Sequence, residues 1–369
     1  MRNDVVDLGH ARHMTVKRVV LAAGGTGGHI VPAAALYQAL NRESYKCTLF
    51  TDRSFLLYEK RFPGIERYVL PLCRRSGGAV KLAKFSALFV YSCVLSYVKL
   101  RSLKPDLVVG FGAYISFPVL LAARLMSVDV MLHEQNTTLG RVNRVFAKYA
   151  KVVVLGLQLK QVTHQLARKA VYTGIPTNIR RVVKRASTAE INLVLLGGSQ
   201  ALCTFGKAFA LAITELPAGI RGKVFVTQQC GKGQLDTIKE LYTRNHIKHR
   251  VDYFFMDMEN VINEADLIIS RAGATTIAEV MVVGKPAIYI PHMRSVNNHQ
   301  LHNARLVESL GAGLCIEEKD LNVTVARDTL LYLLNNRGKL REMSDNAIKH
   351  SMPDASSKFC SVVNRFFKR

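Results

Sequence analysis

Acidic residues are scarce in this 369-residue chain: 27 Asp and Glu stand against 51 Lys and Arg, a formal net charge of +24 at pH 7. A cation excess of that size implies a polyanionic neighbour, and nucleic acid, an anionic bilayer and a phosphorylated substrate all qualify. The seven cysteines (47, 73, 93, 203, 230, 315 and 360) contain no C-x-x-C pair. Without zinc or disulfide spacing they read as reduced thiols of a cytosolic protein. Residues 1–15 carry charges and no apolar h-region, so they do not read as a secretory signal; Met14 is an alternative start. Ten prolines and 25 glycines are too few for a disordered chain, and 49% hydrophobic content permits two cores in domains of roughly 150 residues. Neither common phosphate loop is present. No Lys-Ser or Lys-Thr follows a glycine turn, and Gly25-x-Gly27-x-x-Ile30 lacks the third glycine of a dinucleotide fingerprint. No RNA- or DNA-binding module signature is found either, so nucleic acid is not expected as a partner.

What is present is a strand-to-helix turn crowded with glycine. Apolar residues 19–23 read as a buried parallel strand, which Gly24, Gly25, Gly27 and Gly28 end abruptly around Thr26. Pro32 falls in the first turn of an Ala/Leu-rich helix, where its missing N–H costs nothing. Bare backbone at a helix N-terminus favours anionic oxygen, by dipole and by unpaired donors together. His29, at the mouth of the loop, adds a group able to take a proton near neutral pH. The plain alternative is a tight turn whose histidine bonds only backbone.

Along the chain the pattern is β-α-β throughout. Strands are expected at 18–23, 46–51, 106–110, 128–133 and 152–155. A second series starts at Asn192 and continues near 223–228, 251–255, 266–270, 286–290 and 314–317. That predicts two doubly wound α/β halves joined near 173–189, with ligands beyond the carboxyl ends of the strands and hence in the cleft between the halves. After Pro353 the tail reads as one more basic amphipathic helix.

Residues 79–103 stand apart. The uncharged core, 85–98, is 14 residues with three serines, too short to span a bilayer, and Lys81, Lys84, Lys99, Arg101 and Lys104 bracket it. With Arg74 and Arg75 just before it and Phe85, Phe89, Tyr91 and Tyr97 within, the stretch suits an anionic membrane interface. A buried helix with a solvated basic rim is the alternative.

Three further stretches carry candidate chemistry. A strand ends at Arg271, Gly273 turns the chain and a helix begins near Thr275. Backbone N–H groups with the Thr275 and Thr276 hydroxyls suit a diphosphate, and Glu279 suits a vicinal diol such as a ribose. Thr276-x-x-Glu279 is equally a capping box that needs no ligand. The amides of Gln300 and Asn303, at a helix start after Pro291, suit sugar hydroxyls or capping alike. His133-Glu134-Gln135-Asn136 closes an apolar strand with four polar residues, which points to function by the rule that sites lie at strand C-termini.

Six motifs in order resemble one family: Gly24-Gly-Thr-Gly-Gly-His29-x-x-Pro32, Gly112-Ala-Tyr114-x-Ser116-x-Pro118, His133-Glu-Gln-Asn136, Gly197-Gly-Ser199-Gln200, Arg271-x-Gly273-Ala-x-Thr276-x-x-Glu279 and Asn298-His-Gln300-x-x-Asn303-Ala304. The chain is similar to the MurG family of glycosyltransferases, from about Val19 to the tail. The resemblance implies a GT-B fold: an acceptor- and membrane-associated domain over 1–175, completed by helix 353–369, and a UDP-sugar domain over 176–352. It implies transfer of N-acetylglucosamine from UDP-N-acetylglucosamine to the 4-hydroxyl of lipid I, with inversion, at the cytoplasmic face of the inner membrane. Cell-wall and division machinery would be partners. Thr26, Gly27, Gly28 and Asn136 would sit by the donor sugar and diphosphate. Ser199, Ala274, Thr275, Thr276, Ile277, Ala278, Glu279, Gln300 and Asn303 would hold the nucleotide sugar, with uracil at the backbone of Phe255. Tyr114 and Ser116 belong to the acceptor-side loop.

Inversion needs a base on the acceptor hydroxyl, for which His29 is the first candidate and Glu134 the second. No cluster resembles the Asp-x-Asp metal site of other transferases, so no metal or cofactor is expected, and helix N-termini are expected to take the charge of the leaving UDP. The sequence departs from the family at Ala113 and Ala201, where glycines are usual, and at Ala272 and Ala278, where serine is common. At Asn178 an arginine is lost, which predicts a weaker hold on the donor. A GT-B sugar-nucleotide epimerase and a non-catalytic basic nucleic-acid binder are the alternatives.

Overall fold

A computed structural model describes residues 16–72, 79–182, 190–197 and 205–368. Apolar runs pair into two wholly parallel sheets. The first comprises β1 (Arg18–Ala22), β2 (Lys46–Thr51), β3 (Glu66–Val69), β4 (Leu107–Gly110), β5 (Asp129–Glu134), β6 (Val152–Leu155) and β7 (Ala170–Tyr172), in the order β3-β2-β1-β4-β5-β6-β7. Parallel neighbours need crossovers, and these are α1 (Gly27–Arg42), α2 (Ala79–Leu103), α3 (Ala113–Leu125), α4 (Arg141–Phe146) and α5 (His164–Ala167).

The second sheet comprises β8 (Ile191–Leu196), β9 (Val224–Gln229), β10 (Lys248–Asp252), β11 (Leu267–Ser270), β12 (Ala287–Tyr289) and β13 (Leu314–Cys315), in the order β10-β9-β8-β11-β12-β13. Its helices are α6 (Phe205–Thr214), α7 (Ala218–Arg221), α8 (Leu235–Arg244), α9 (Met258–Glu264), α10 (Ala274–Val283), α11 (His299–Ser309), α12 (Val323–Asn335) and α13 (Arg337–His350). The last helix, α14 (Ala355–Phe367), returns to the first sheet.

Alternation along β1 builds two separate cores. Val19 and Leu21 face α1 and α14, packing with Leu36, Phe359 and Val363, while Val20 and Ala22 face the other side, with Val119 of α3 and Leu100 of α2. The order in which strands are added reverses at β1/β4 in the first half and at β8/β11 in the second, all strands remaining parallel. Loops leaving those four strands therefore open into a crevice at each switch point, where ligands bind in such sheets.

Two strands and one register escaped the sequence. β3 and β7 are edge strands of four and three residues, too short to show alternation, and β3 opens on the charged pair Glu66-Arg67. β10 lies at Lys248–Asp252 rather than 251–255, because an edge strand tolerates Lys248, Arg250 and Asp252 on its solvent side while His249 and Val251 face inward. The expected 14-residue core of 79–103 also needs correction. α2 is 25 residues, and Lys81–Leu103 is long and apolar enough, by length and composition, to cross a bilayer. It packs against α3 through buried Ser92, Ser96 and Leu100, and Phe89 meets Phe117 at 5.4 Å.

Candidate active site

Four helices begin at the cleft, and in none does the N-cap residue's own side chain bond the first turn, although Ser295 Oγ accepts the Gln300 N–H of the fourth at 3.4 Å. These are α1 behind Thr26, α3 behind Gly112, α10 behind Gly273 and α11 behind Asn298. The ends of α1 and α10 meet directly, the Thr275 hydroxyl donating to the Gly28 carbonyl at 3.0 Å. A side chain at Gly112 would touch the His29 ring at 3.5 Å, which brings α3 to the same point. Uncapped N-termini present N–H groups and positive dipole ends, so their convergence builds an anion site. Gly273 occupies the N-cap of α10, so Thr276 and Glu279 do not form the alternative capping box.

His29 bonds Thr26 Oγ1 through Nδ1 at 3.0 Å. Burial, then nearby His299, pulls its pKa down to about 4, against the opposing charge of Asp52. At neutral pH the ring is uncharged and carries a lone pair. Glu134 is buried, and its two oxygens accept from Asn136 N and Nδ2 (both 3.1 Å), Gly140 N (2.8 Å) and Asn143 Nδ2 (2.9 Å). Burial raises its pKa while those donors oppose the rise. With its lone pairs so engaged it organises the 134–140 loop, a geometry that disfavours it as the base. His133 is wholly buried between Phe111 and Phe359, its pKa depressed to about 3 by burial.

Other candidates divide by where their side chains point. Glu279 is buried in the cleft wall, its pKa pushed up to about 7 by burial and opposed by Arg61, so near neutrality it both donates and accepts. Gln300 accepts from His292 N at 2.8 Å, which orients its amide. Asn303 is fully buried and bridges the halves, Oδ1 accepting from Thr137 N and Oγ1 (both 3.1 Å) and Nδ2 donating to Asn136 Oδ1 (3.1 Å) and the Ala272 carbonyl (3.2 Å). Its amide oxygen and both amide hydrogens thus meet protein partners in the unliganded cleft. Ser116 is likewise buried, donating to the Ala22 carbonyl at 2.7 Å, which ties α3 to β1 and leaves it no acceptor to meet. Ile277 lies in the core with Ile268 and Tyr289, and Ala274 and Ala278 pack on Leu157, Ile175 and Leu306, so α10 offers the cleft its backbone end and Thr276 rather than these side chains. Phe255 is core, under the Arg250 guanidinium at 4.8 Å, which leaves its backbone as the contact. Phe85 and Phe89 stack on each other at 6.0 Å, and Lys84 is exposed. Ser199, Arg74 and Arg75 lie outside the described residues.

Two residues were missed by sequence reasoning. Asp52, just after β2, accepts the Gly25 N–H at 3.2 Å and the Tyr114 hydroxyl at 2.7 Å, and so joins the glycine turn after β1 to the first turn of α3. A lone acid closing an apolar strand was the available signal, as at Glu134. Tyr58 sits on Gly27, where any Cβ would collide with its hydroxyl, and its ring meets Phe254 of the second half edge-on at 6.4 Å. Nothing local in the sequence announced that contact.

Ala113 has φ +58°, a left-handed conformation that explains why glycine is usual there. Asn178 is half-buried, and beside it Arg180 donates its N–H to Glu259 at 2.9 Å.

The glycosyltransferase family 28 N-terminal domain matches residues 19–155 and its C-terminal domain residues 192–359. Over 355 residues the chain is 66% identical to the UDP-N-acetylglucosamine--N-acetylmuramyl-(pentapeptide) pyrophosphoryl-undecaprenol N-acetylglucosamine transferase of Anaplasma marginale, covering 96% of this chain and 100% of that one. Among solved structures, Acinetobacter baumannii MurG superposes with a TM-score of 0.73 at 27% identity, over 95% of this chain and 99% of that one. A putative UDP-N-acetylglucosamine 2-epimerase from Listeria monocytogenes reaches 0.71 at 13% identity, over 96% and 97%, a likeness of fold alone.

Proposed function

The chain belongs to the MurG family within glycosyltransferase family 28 and is a glycosyltransferase, and on that premise we propose that it moves N-acetylglucosamine from UDP-N-acetylglucosamine to the 4-hydroxyl of lipid I. The observation that carries the reading is the meeting of α1 and α10 at Thr275 and Gly28, beside the uncapped start of α3 and the start of α11. A pyrophosphate between those helix ends exchanges water for fixed N–H donors, and the charge growing on departing UDP is stabilised by them. Backbone N–H groups of Gly27, Gly28, Ala274 and Thr275 are its donors, with the Thr276 hydroxyl. Thr26 acts through its bond to His29. Glu279 is assigned to the ribose diol, Gln300 to the sugar, and Ser199 and the Phe255 backbone to the nucleotide. Asn136 borders the donor sugar and Tyr114 the acceptor. We assign the base to His29: neutral at pH 7, it accepts the proton of the 4-hydroxyl as that oxygen attacks the anomeric carbon from the face opposite UDP, giving inversion by one displacement.

We divide the chain at 175/176, with 353–369 returned to the first domain. Lipid I is held in the bilayer, and we place α2 at that surface, on the cytoplasmic face. Val90, Tyr91, Val94 and Val98 form an exposed apolar face on it, with Lys81, Lys84, Lys99 and Arg101 toward its ends. Apolar burial into the headgroup region and attraction to anionic lipid then act together. Cell-wall and division machinery would meet the enzyme there.

The test is purified protein with radiolabelled UDP-N-acetylglucosamine and a short-chain lipid I analogue. Label in the lipid product, with UDP released only when the acceptor is present, supports the reading. Conversion of the donor without acceptor would instead make the protein an epimerase, and binding to DNA that the donor cannot displace would make it a nucleic-acid binder.

A further inference from the structure

Between β2 and β3 lies a 3-10 helix, Arg53–Arg61. Three residues per turn stack the side chains at i and i+3 on one face. Phe55, Tyr58 and Arg61 have that spacing and are buried or half-buried, while Leu56, Leu57, Glu59 and Lys60 between them are exposed. Both ends of this helix are fixed to the glycine turn and to α1. Asp52 caps its start, accepting the Ser54 N–H at 3.1 Å and the Gly25 N–H at 3.2 Å. At its end, Gln38 of α1 donates to the Arg61 carbonyl at 3.0 Å, and Phe55 packs on Phe62 at 5.4 Å.

The inward face of the helix meets the cleft. The Tyr58 hydroxyl lies over Gly27, and the ring meets Phe254 of the second half. Burial raises the pKa of the Tyr58 hydroxyl and of Glu279, and the Arg61 charge opposes both rises, so the three groups lie within electrostatic reach of one another. Among the described residues, neither the Tyr58 hydroxyl nor the Arg61 guanidinium has a hydrogen-bond or ion-pair partner. A half-buried cation without an anion, close to the bare N–H groups of a glycine turn, suits a phosphate, which a guanidinium meets with two parallel bonds. We propose that Arg61 and Tyr58 bind the diphosphate of the nucleotide sugar, the guanidinium pairing with phosphate oxygen and the phenol donating to it, so that the first half supplies a cation to the donor site. This rests on the proposed function, in which the N–H groups of Gly27 and Gly28 face that diphosphate and Glu279 faces the ribose.

The experiment is calorimetry with UDP and with uridine, the latter by competition, on wild type, Arg61→Ala, Arg61→Lys and Tyr58→Phe. Arg61→Ala is expected to weaken UDP binding by about 10- to 100-fold, the range of a charge-assisted hydrogen bond, and Tyr58→Phe by a few-fold, with uridine unchanged in each. Lysine keeps the charge without the fork, so Arg61→Lys is expected between wild type and Arg61→Ala. UDP binding to wild type is expected to fall more steeply with salt than binding to Arg61→Ala. Because the Arg61 side chain bonds no other described residue, urea unfolding is expected to find Arg61→Ala as stable as wild type. Unchanged UDP affinity in Arg61→Ala would overturn the proposal. Equal losses for UDP and uridine would do so too, because Arg61 would then act through Glu279 at the ribose. A wild type that binds UDP but transfers nothing to the lipid I analogue defeats the proposed reaction, and the variants still decide the role of Arg61; one that binds no UDP defeats both.

Discussion

The Tyr114 hydroxyl donates to Asp52 Oδ2 at 2.7 Å, while Oδ1 of the same carboxylate accepts the Gly25 N–H at 3.2 Å. One side chain just after β2 thus joins the glycine turn after β1 to the first turn of α3, and Ser54 closes onto it by its own N–H at 3.1 Å. Asp52→Ala removes one of two acceptors of the part-buried Gly25 N–H, Ser54 Oγ at 3.1 Å being the other, together with the acceptor of the Ser54 N–H and of the Tyr114 hydroxyl, and a loss of about 1–3 kcal/mol is expected. Tyr114→Phe removes one donor and is expected to cost about 1 kcal/mol. Urea unfolding of the two variants checks the order; equal stabilities would mean Asp52 carries no more of the loop than its bond to Tyr114.

Much of this was legible in the sequence, and what was not had a common cause. Long apolar runs gave the central strands, and the polar residues closing β5 marked a site edge. Short edge strands β3 and β7 carry too little pattern to be seen. The protein partners of Asn303 were not legible, because an amide at a helix start shows nothing of its tertiary contacts, and one of them, Thr137, is 166 residues away. The Tyr58–Phe254 contact was hidden for the same reason. Chemistry that depends on two distant segments meeting leaves no local trace.

Ala113 is held at φ +58°, where an L side chain other than glycine is strained by roughly 1–2 kcal/mol. Glycine gives back some of that in unfolded-chain entropy, so Ala113→Gly is expected to stabilise by up to about 1 kcal/mol. Ala113→Val, β-branched at the same φ, is expected to destabilise. Chemical unfolding that moves both variants in one direction would contradict the strain.

Glu134→Gln keeps the shape of the side chain and reverses one end of its hydrogen bonding. The new amide nitrogen faces N–H donors, whichever way it turns, from Asn136 or from Gly140 and Asn143. A stability loss of about 1–3 kcal/mol is expected for the unmatched buried donors, with transfer activity falling and UDP affinity little changed, since no pyrophosphate donor lies on the 134–140 loop. Calorimetry and turnover on the folded variant check it. Full activity would show that the loop does not need its anchor.

On α2 the two faces are expected to respond differently. Val94→Asp with Val98→Asp alters only exposed side chains, so vesicle binding should weaken at any salt while thermal stability stays. Phe89→Asp places a charge against Phe117 and should lower stability instead. Each Lys or Arg near the surface adds about 1 kcal/mol on anionic vesicles, an amount that salt removes. Sedimentation with neutral and anionic vesicles measures both parts, and equal binding to the two at low salt would exclude the electrostatic one.

The pH dependence separates His29 from its neighbours. Burial, then His299, holds it at about 4 in the unliganded cleft, below its ordinary 6.5. A base must be unprotonated, so the free enzyme keeps it through neutrality and loses it only as pH falls through about 4. A diphosphate at the nearby helix ends favours the imidazolium and raises that value. Because kcat/KM reports the free enzyme and kcat the loaded one, the acid limb of kcat is expected at higher pH than that of kcat/KM. His29→Gln should lower turnover by about 10²–10⁴-fold and erase the displaced limb. Stability moves with it: a folded pKa below the unfolded one costs stability as pH falls from 6.5 through about 4, so the same variant should lose less of its stability over that interval than wild type. Coincident acid limbs in wild type, or an undiminished kcat in His29→Gln, would transfer the role of base to another group.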